Sequence, residues 1–256
     1  MLAIGTGRGT EVYNFQVVAT RPGDTATIPA WTSLAPFSVF YANAGVELSS
    51  LITTRFTLVG ERALAPITTA FGDPPTGDFS TNVNYPPAVG AQSVLRAELG
   101  RADAVGKQQL NLRTATLSSS LGVDLAVQPL PWIATVPAAV ATGASWTQVG
   151  DGTLDLRQSD WAGTWSANAV TRSVQWTVYD NSAAPALVLP TLPSKFAAVD
   201  PRGQQLTAAS TTVTYYDFST LTAAALRVAP ESLTAGFDNN ATLGNAAMVV
   251  RTSSNR

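Results

Sequence analysis

Apolar and polar residues alternate with a period of two along most of this chain, in short runs cut by glycine- and proline-rich turns. That spacing sends successive side chains to opposite faces of an extended backbone, so it specifies strands and leaves little room for helix. Tyr13, Phe15, Val17 and Ala19 fall on one face, with Asn14 and Gln16 on the other. Arg21, Pro22, Gly23 and Asp24 then read as a turn, proline fixing φ and glycine supplying a positive one, with a return strand over 25–28. The same pattern predicts strands over 37–41, 51–59, 93–99, 107–114, 122–127, 145–149, 153–158, 173–179, 186–189, 211–217 and 246–251. Asp151-Gly152 is a hairpin signal. Helix formers gather only over 221–228, with 94–99 a weaker rival.

Short strands at this spacing predict an all-β chain of β-sandwich architecture, with a single elaborated jelly roll as the alternative. Pro129, Pro131 and Pro137 flank Trp132 in the best candidate linker. A boundary there divides the chain into two sandwich-like domains, 1–129 and 130–256. Residues 70–91 carry Pro74, Pro75, Pro86 and Pro87 and are expected to form a long irregular loop, pinned to the body by Phe79 and Tyr85. The start, with Gly5, Gly7 and Gly9, is expected to be a flexible segment rather than a phosphate loop, because no Gly-Lys-Ser/Thr follows. Thr177, Tyr179 and Asp180 recur as Thr214, Tyr216 and Asp217 at an offset of 37 residues, which is compatible with two strand-plus-return units.

Composition then removes chemistries. The 256 residues include no histidine and no cysteine. That excludes histidine-based triads, thiol nucleophiles, disulfides and His- or Cys-ligated metals. Lys107 and Lys195 are the only lysines. Glu11, Glu47, Glu61, Glu98 and Glu231 stand in no motif that pairs them for glycoside hydrolysis. The expected protein is therefore non-catalytic and needs no cofactor. Net charge is −2 with the arginines scattered singly, so no basic patch for nucleic acid is expected. No apolar run reaches the roughly 18 residues of a membrane-spanning helix.

Binding candidates come from the aromatics. Trp161 and Trp165 bracket Gly163 in what reads as a connection, where exposed indoles could stack on sugar rings or anchor a protein partner. Asp160 beside them and Tyr85 in the proline-rich segment complete the expected ligand-binding set. Asp151, Asp155 and Asp160 lack the spacing of a calcium loop. They read as a turn aspartate, a surface pair of Asp155 with Arg157, and a loop aspartate.

Over roughly the last 110 residues the chain resembles the terminal β-domain of myxobacterial secreted or surface lipoproteins. The residues that carry this are the Trp176-Thr177-Val178-Tyr179 strand within 171–180, and the Leu189-Pro190-Thr191-Leu192-Pro193 exit that follows. The resemblance implies an envelope or extracellular β-sandwich and carries no catalytic residue across. The lipobox cysteine of such lipoproteins has no counterpart in this sequence. The expected function is an extracytoplasmic binding or structural protein that recognises a surface glycan or a protein partner, located outside the cell or on its surface. The alternative is a structural subunit of a virion, phage or other self-assembling particle. The start at Met1 to Gly5 does not read as a signal peptide, which fits either a trimmed exported domain or such a subunit.

Overall fold

Alternation becomes strand along most of the described chain. The computed structural model describes residues 2–7, 10–15, 32–59, 62–85, 92–114, 119–126, 130–167, 169–218 and 248–255. In chain order the strands are β1 (Leu2–Gly7), β2 (Thr10–Phe15), β3 (Thr32–Ser33), β4 (Ala35–Ala44), β5 (Leu48–Val59), β6 (Arg62–Gly72), β7 (Gly77–Tyr85), β8 (Gln92–Arg101), β9 (Lys107–Thr114) and β10 (Ser120–Asp124). They continue as β11 (Trp132–Ile133), β12 (Ala138–Val140), β13 (Gly143–Ser145), β14 (Gln148–Val149), β15 (Leu156–Ala167), β16 (Val170–Asp180), β17 (Ala186–Val188), β18 (Leu206–Phe218) and β19 (Met248–Ser254). A 3-10 turn over Ser194–Val199 is the only helical element among the described residues. The expected turn at 21–24, the return strand at 25–28 and the helix formers at 221–228 lie outside the described residues.

The fold is an all-β, sandwich-type arrangement. Its base is an eight-stranded antiparallel sheet in the order β16-β15-β18-β19-β9-β8-β5-β6. One row of register partners crosses seven of its strands: Leu51, Leu99, Gln108, Ser253, Tyr215, Arg157 and Asp180. Opposed residues in a sheet share a face. This row therefore marks one continuous face, and both hydrophobic clusters rest on it. Over the β5-β8-β9 part lies the sheet β10-β4-β7, which sends down Phe37, Val39, Tyr41, Val83 and Val123 against Leu51, Leu95, Leu99 and Leu110. Over the β15-β18 part lie β12-β13-β17 and the β11-β14 pair, whose layer supplies Ile133, Ala144, Trp146 and Leu187 against Trp161, Val213 and Tyr215.

Two expectations about organisation change here. The segment expected to link two domains is stitched into the body. Gln108 donates to the Leu130 carbonyl at 2.6 Å, and the amides of Val105 and Gly106 donate to the Ile133 carbonyl. Trp132 packs in the first cluster while Leu130 and Ile133 pack in the second, so this stretch is a seam between cores. The large sheet takes four strands from each side of residue 130. Its continuity comes from β19, which pairs with both β9 and β18.

Within 70–91, the expected irregular loop is a strand followed by residues outside the described set. Pro74 and Pro75 are confined to the turn after β6, where Asp73 adopts a φ of 51°. Beyond it β7 pairs with β4, because Phe79, Thr81 and Val83 keep an inward alternation that the turn-forming residues around them obscure. The start is not a loose tail either: β1 and β2 pair in register from Leu2 with Phe15 to Gly7 with Thr10. Asp151-Gly152 does not close a hairpin, since β14 pairs with β11 while β15 pairs with β16 and β18. The two repeated segments, 177–180 and 214–217, lie in β16 and β18 on either side of β15.

Candidate functional site

Trp161 and Trp165 do not lie in a connection. Both are in β15, four residues apart on the core-facing side, and each is 1% exposed. Gly163 sits between them on the same face because the Trp161 ring lies over it: a Cβ there would fall 2.2 Å from Cη2 of that indole. The Trp161 Nε1 donates to the carbonyls of Val140 and Gly143 at 3.1 Å each, tying the β12-β13 turn to the large sheet. These tryptophans offer no face to a ligand and cannot serve as the stacking surface expected of them.

Strand alternation turns Asp160 to the opposite side of the sheet. There it accepts hydrogen bonds from Gln158 Nε2 and Thr177 Oγ1, both at 2.8 Å. Asp155 accepts from the Phe218 amide at 3.0 Å, and Asp151 lines a cleft of about 310 Å³ at the seam with Glu47 and Arg101. The three aspartates thus occupy three separate environments. Arg157 does not pair with Asp155. Its buried guanidinium donates to Asp180 at 2.6 Å and to the carbonyls of Ala184 and Ala186 at 2.6 and 2.9 Å, holding the β16-β17 connection in place. Tyr85 ends β7 with its backbone opposite Ala35; its side chain lies outside the described residues.

The exposed aromatic surface is elsewhere, on the outer face of β10-β4-β7. With Phe37, Val39 and Tyr41 turned into the core, the alternate residues Ser38, Phe40 and Ala42 of β4 must point out. Phe40 is 53% exposed, the most exposed aromatic among the described residues. Its register partners are Gly122 on β10 and Ser80 on β7. Gly122 leaves the space beside the ring open, for nothing lies within 4 Å of where its Cβ would be. The result is an open groove of about 610 Å³ lined by Phe40, Ala42, Ser80 and Gly122 and ended by Asp78 and Asp124.

Polar rows frame this ring. On one side Ser38 donates to Asn82 at 2.9 Å. On the other, Asn43, held at a φ of 58°, donates its amide to Asp78 Oδ1 and its Nδ2 to Asp124 Oδ1. Asp124 Oδ1 also accepts from the Ala126 amide at 2.9 Å, and a carboxylate has about four acceptor directions in all. Beneath the groove Tyr41 stacks on Phe79 with ring centroids 5.1 Å apart, and its hydroxyl is 2.5 Å from Thr53 Oγ1. Burial pushes the Tyr41 phenol up to about 12 despite that bond, so the floor of the groove is neutral at any ordinary pH. Chemically, the arrangement offers one apolar ring between hydroxyl and carboxylate acceptors.

Sequence reasoning passed over Phe40, although the signal was present. An aromatic on the outward parity of a strand whose other parity holds Phe37, Val39 and Tyr41 has to be exposed, unless a further layer covers it. No family model matches the chain, and neither a curated protein nor a solved structure matches it.

Proposed function

We propose that this chain is a non-catalytic, extracytoplasmic β-sandwich protein that binds a neutral surface glycan on the outer face of β10-β4-β7. The observation that carries the reading is Phe40, half exposed at the centre of an open polar groove. A solvent-facing phenylalanine gains free energy by covering its ring, and the apolar face of a pyranose fits a flat, shallow platform of this kind. Asp78, Asp124, Ser80 and Asn82 stand at its margins as acceptors and donors for hydroxyls. The two carboxylates repel acidic sugars, which restricts the ligand class to uncharged ones. The resemblance of the C-terminal part to secreted and surface lipoprotein domains supports the extracytoplasmic setting.

A glycan array probed with the wild type, followed by calorimetry on any hit, tests the reading. Phe40→Ala leaves the fold unchanged, because the ring is on the outside, and lowers affinity for a neutral glycan roughly tenfold. An array without hits, or hits that Phe40→Ala leaves unchanged, overturns it. The alternative, a structural subunit of a virion or other assembly, requires copies of the chain to meet, and the open edge of β16 is the feature that favours it.

A further inference from the structure

The two edges of the eight-stranded sheet are built differently. On β6 the ladder to β5 shifts register between Arg55 and Thr57, at Pro66, so a bulge and a missing donor blunt that edge. Among the described residues β16 carries neither a bulge nor a proline. It runs eleven residues with unbroken register against β15, from Arg157 with Asp180 to Ala167 with Val170. It contains no proline and no lysine, the residues that most often guard an exposed edge.

The strand is also its own complement. Laid antiparallel on itself about Trp176, it sets Arg172 opposite Asp180 and Val174 opposite Val178, with Trp176 opposite its own copy. These five residues share the core-facing side and are all partly buried, so the apolar face of the sheet continues to its rim. On the other side, Gln175 falls opposite Thr177 and Ser173 opposite Tyr179. Asp180 already accepts from Arg157, yet its side chain remains 30% exposed towards the rim. Because every pair in this register joins residues of like parity, the outward N–H and C=O groups of one strand meet those of the other, and both core faces stay on the same side.

We propose that β16 pairs with β16 of a second copy of this chain about a two-fold axis at Trp176, merging two eight-stranded sheets into one. The interface is isologous and closes at the dimer. Charge complementarity, counted twice through Arg172 and Asp180, selects this register over its neighbours. The proposal does not depend on the glycan reading, since β16 and Phe40 lie in different sheets.

Sedimentation across a wide concentration range, on the full chain, tests it. The wild type forms a reversible dimer of twice 26.7 kDa. Gln175→Lys with Thr177→Lys sets lysines opposite lysines at two symmetric places and weakens the dimer at least about tenfold. Gln175→Glu with Thr177→Lys sets opposite charges there and tightens it roughly 2- to 30-fold. Both positions are exposed in the single chain, so the fold tolerates the changes. As a readout free of substitutions, amide exchange in wild-type β16 slows with rising concentration while that in β6 does not. A wild type that stays monomeric throughout overturns the proposal. So do two double variants that shift association in the same direction, or exchange in β16 that ignores concentration.

Discussion

Gly163→Ala distinguishes a strand packed under an indole from a loop between two exposed ones. The added methyl would lie 2.2 Å from Cη2, 2.8 Å from Cζ2 and 3.0 Å from Cζ3 of Trp161. That ring has no easy retreat, because it is 1% exposed and its Nε1 is held by two backbone carbonyls. Overpacking of this sort costs about 1–3 kcal/mol, and displacing the indole forfeits bonds worth about 0.5–1.5 kcal/mol each. Alanine recovers about 0.5–1 kcal/mol through its lower backbone entropy. The net loss is about 2 kcal/mol, a fall in Tm of about 4–8 °C for a chain of this size. In a Trp161→Phe background the outer ring atoms are gone, so the same Gly163→Ala change becomes neutral or mildly stabilising. Urea denaturation of the four proteins, followed by circular dichroism, closes the cycle with a coupling of about 2 kcal/mol. Additivity would refute the packing argument, as would a Gly163→Ala protein more stable than the wild type. The second result is what a flexible connection at this position would give.

Two further changes probe the buried polar groups. Arg157→Lys keeps the charge but loses the fork that reaches Asp180, Ala184 and Ala186, and should cost about 1–3 kcal/mol in urea titration. Limited proteolysis should then cut first within 181–186, and cleavage elsewhere would count against the clamp. Tyr41 has a phenol raised from 10.0 to about 12, so below pH 10 both folded and unfolded chains keep its proton. Between pH 10 and 12 the unfolded chain loses the proton first and stability falls, by about 2.7 kcal/mol once both pKa values are passed. Tyr41→Phe should flatten that alkaline decline, measured as the urea midpoint against pH, whereas an unchanged slope would remove Tyr41 as its source.

Local parity was legible in the sequence and long-range pairing was not. The expectation for 107–114 coincides with β9, and those for 51–59, 93–99 and 211–217 fall inside β5, β8 and β18. Leu110 and Leu112, Leu95 and Leu99, and Val213 and Tyr215 mark the core-facing parity of three of them. The failures have physical causes. β7 is bordered by Pro74 and Pro75 before it and by Pro86 and Pro87 after it, and prolines outside a strand read the same as prolines within one. Gly163 reads as a turn signal, but a glycine in a strand also marks the close approach of another group, here the Trp161 ring. That one residue decided whether Trp161 and Trp165 faced solvent or the core. Proline density at 129–137 suggested a linker, while the contacts that make it a seam come from Gln108 and from Val105 and Gly106, which no local pattern connects to it.

The low charge finds a physical counterpart in the outer face of the large sheet. On the face turned away from the two clusters, where Asn111 and Gln158 are buried, β8, β9 and β15 carry neutral amides that bond to the few charges present. Arg96 donates to Asn111 at 3.0 Å, Gln109 to Glu98 at 3.2 Å, and Gln158 to Asp160 at 2.8 Å. Under the proposed function and the proposed dimer, recognition uses the places where groups are left exposed, the Phe40 groove and the β16 rim. A shallow groove around one aromatic would hold the proposed glycan weakly. A two-fold dimer would present two such grooves to one surface, and linked sites raise overall avidity by about 10²–10⁴ without any new contact. The two surfaces then separate cleanly by experiment. Phe40→Ala lowers both surface binding and calorimetric affinity for the free sugar, and leaves the sedimenting mass unchanged. Lysines at 175 and 177 lower binding to an immobilised glycan but leave calorimetric affinity for the free sugar as it was.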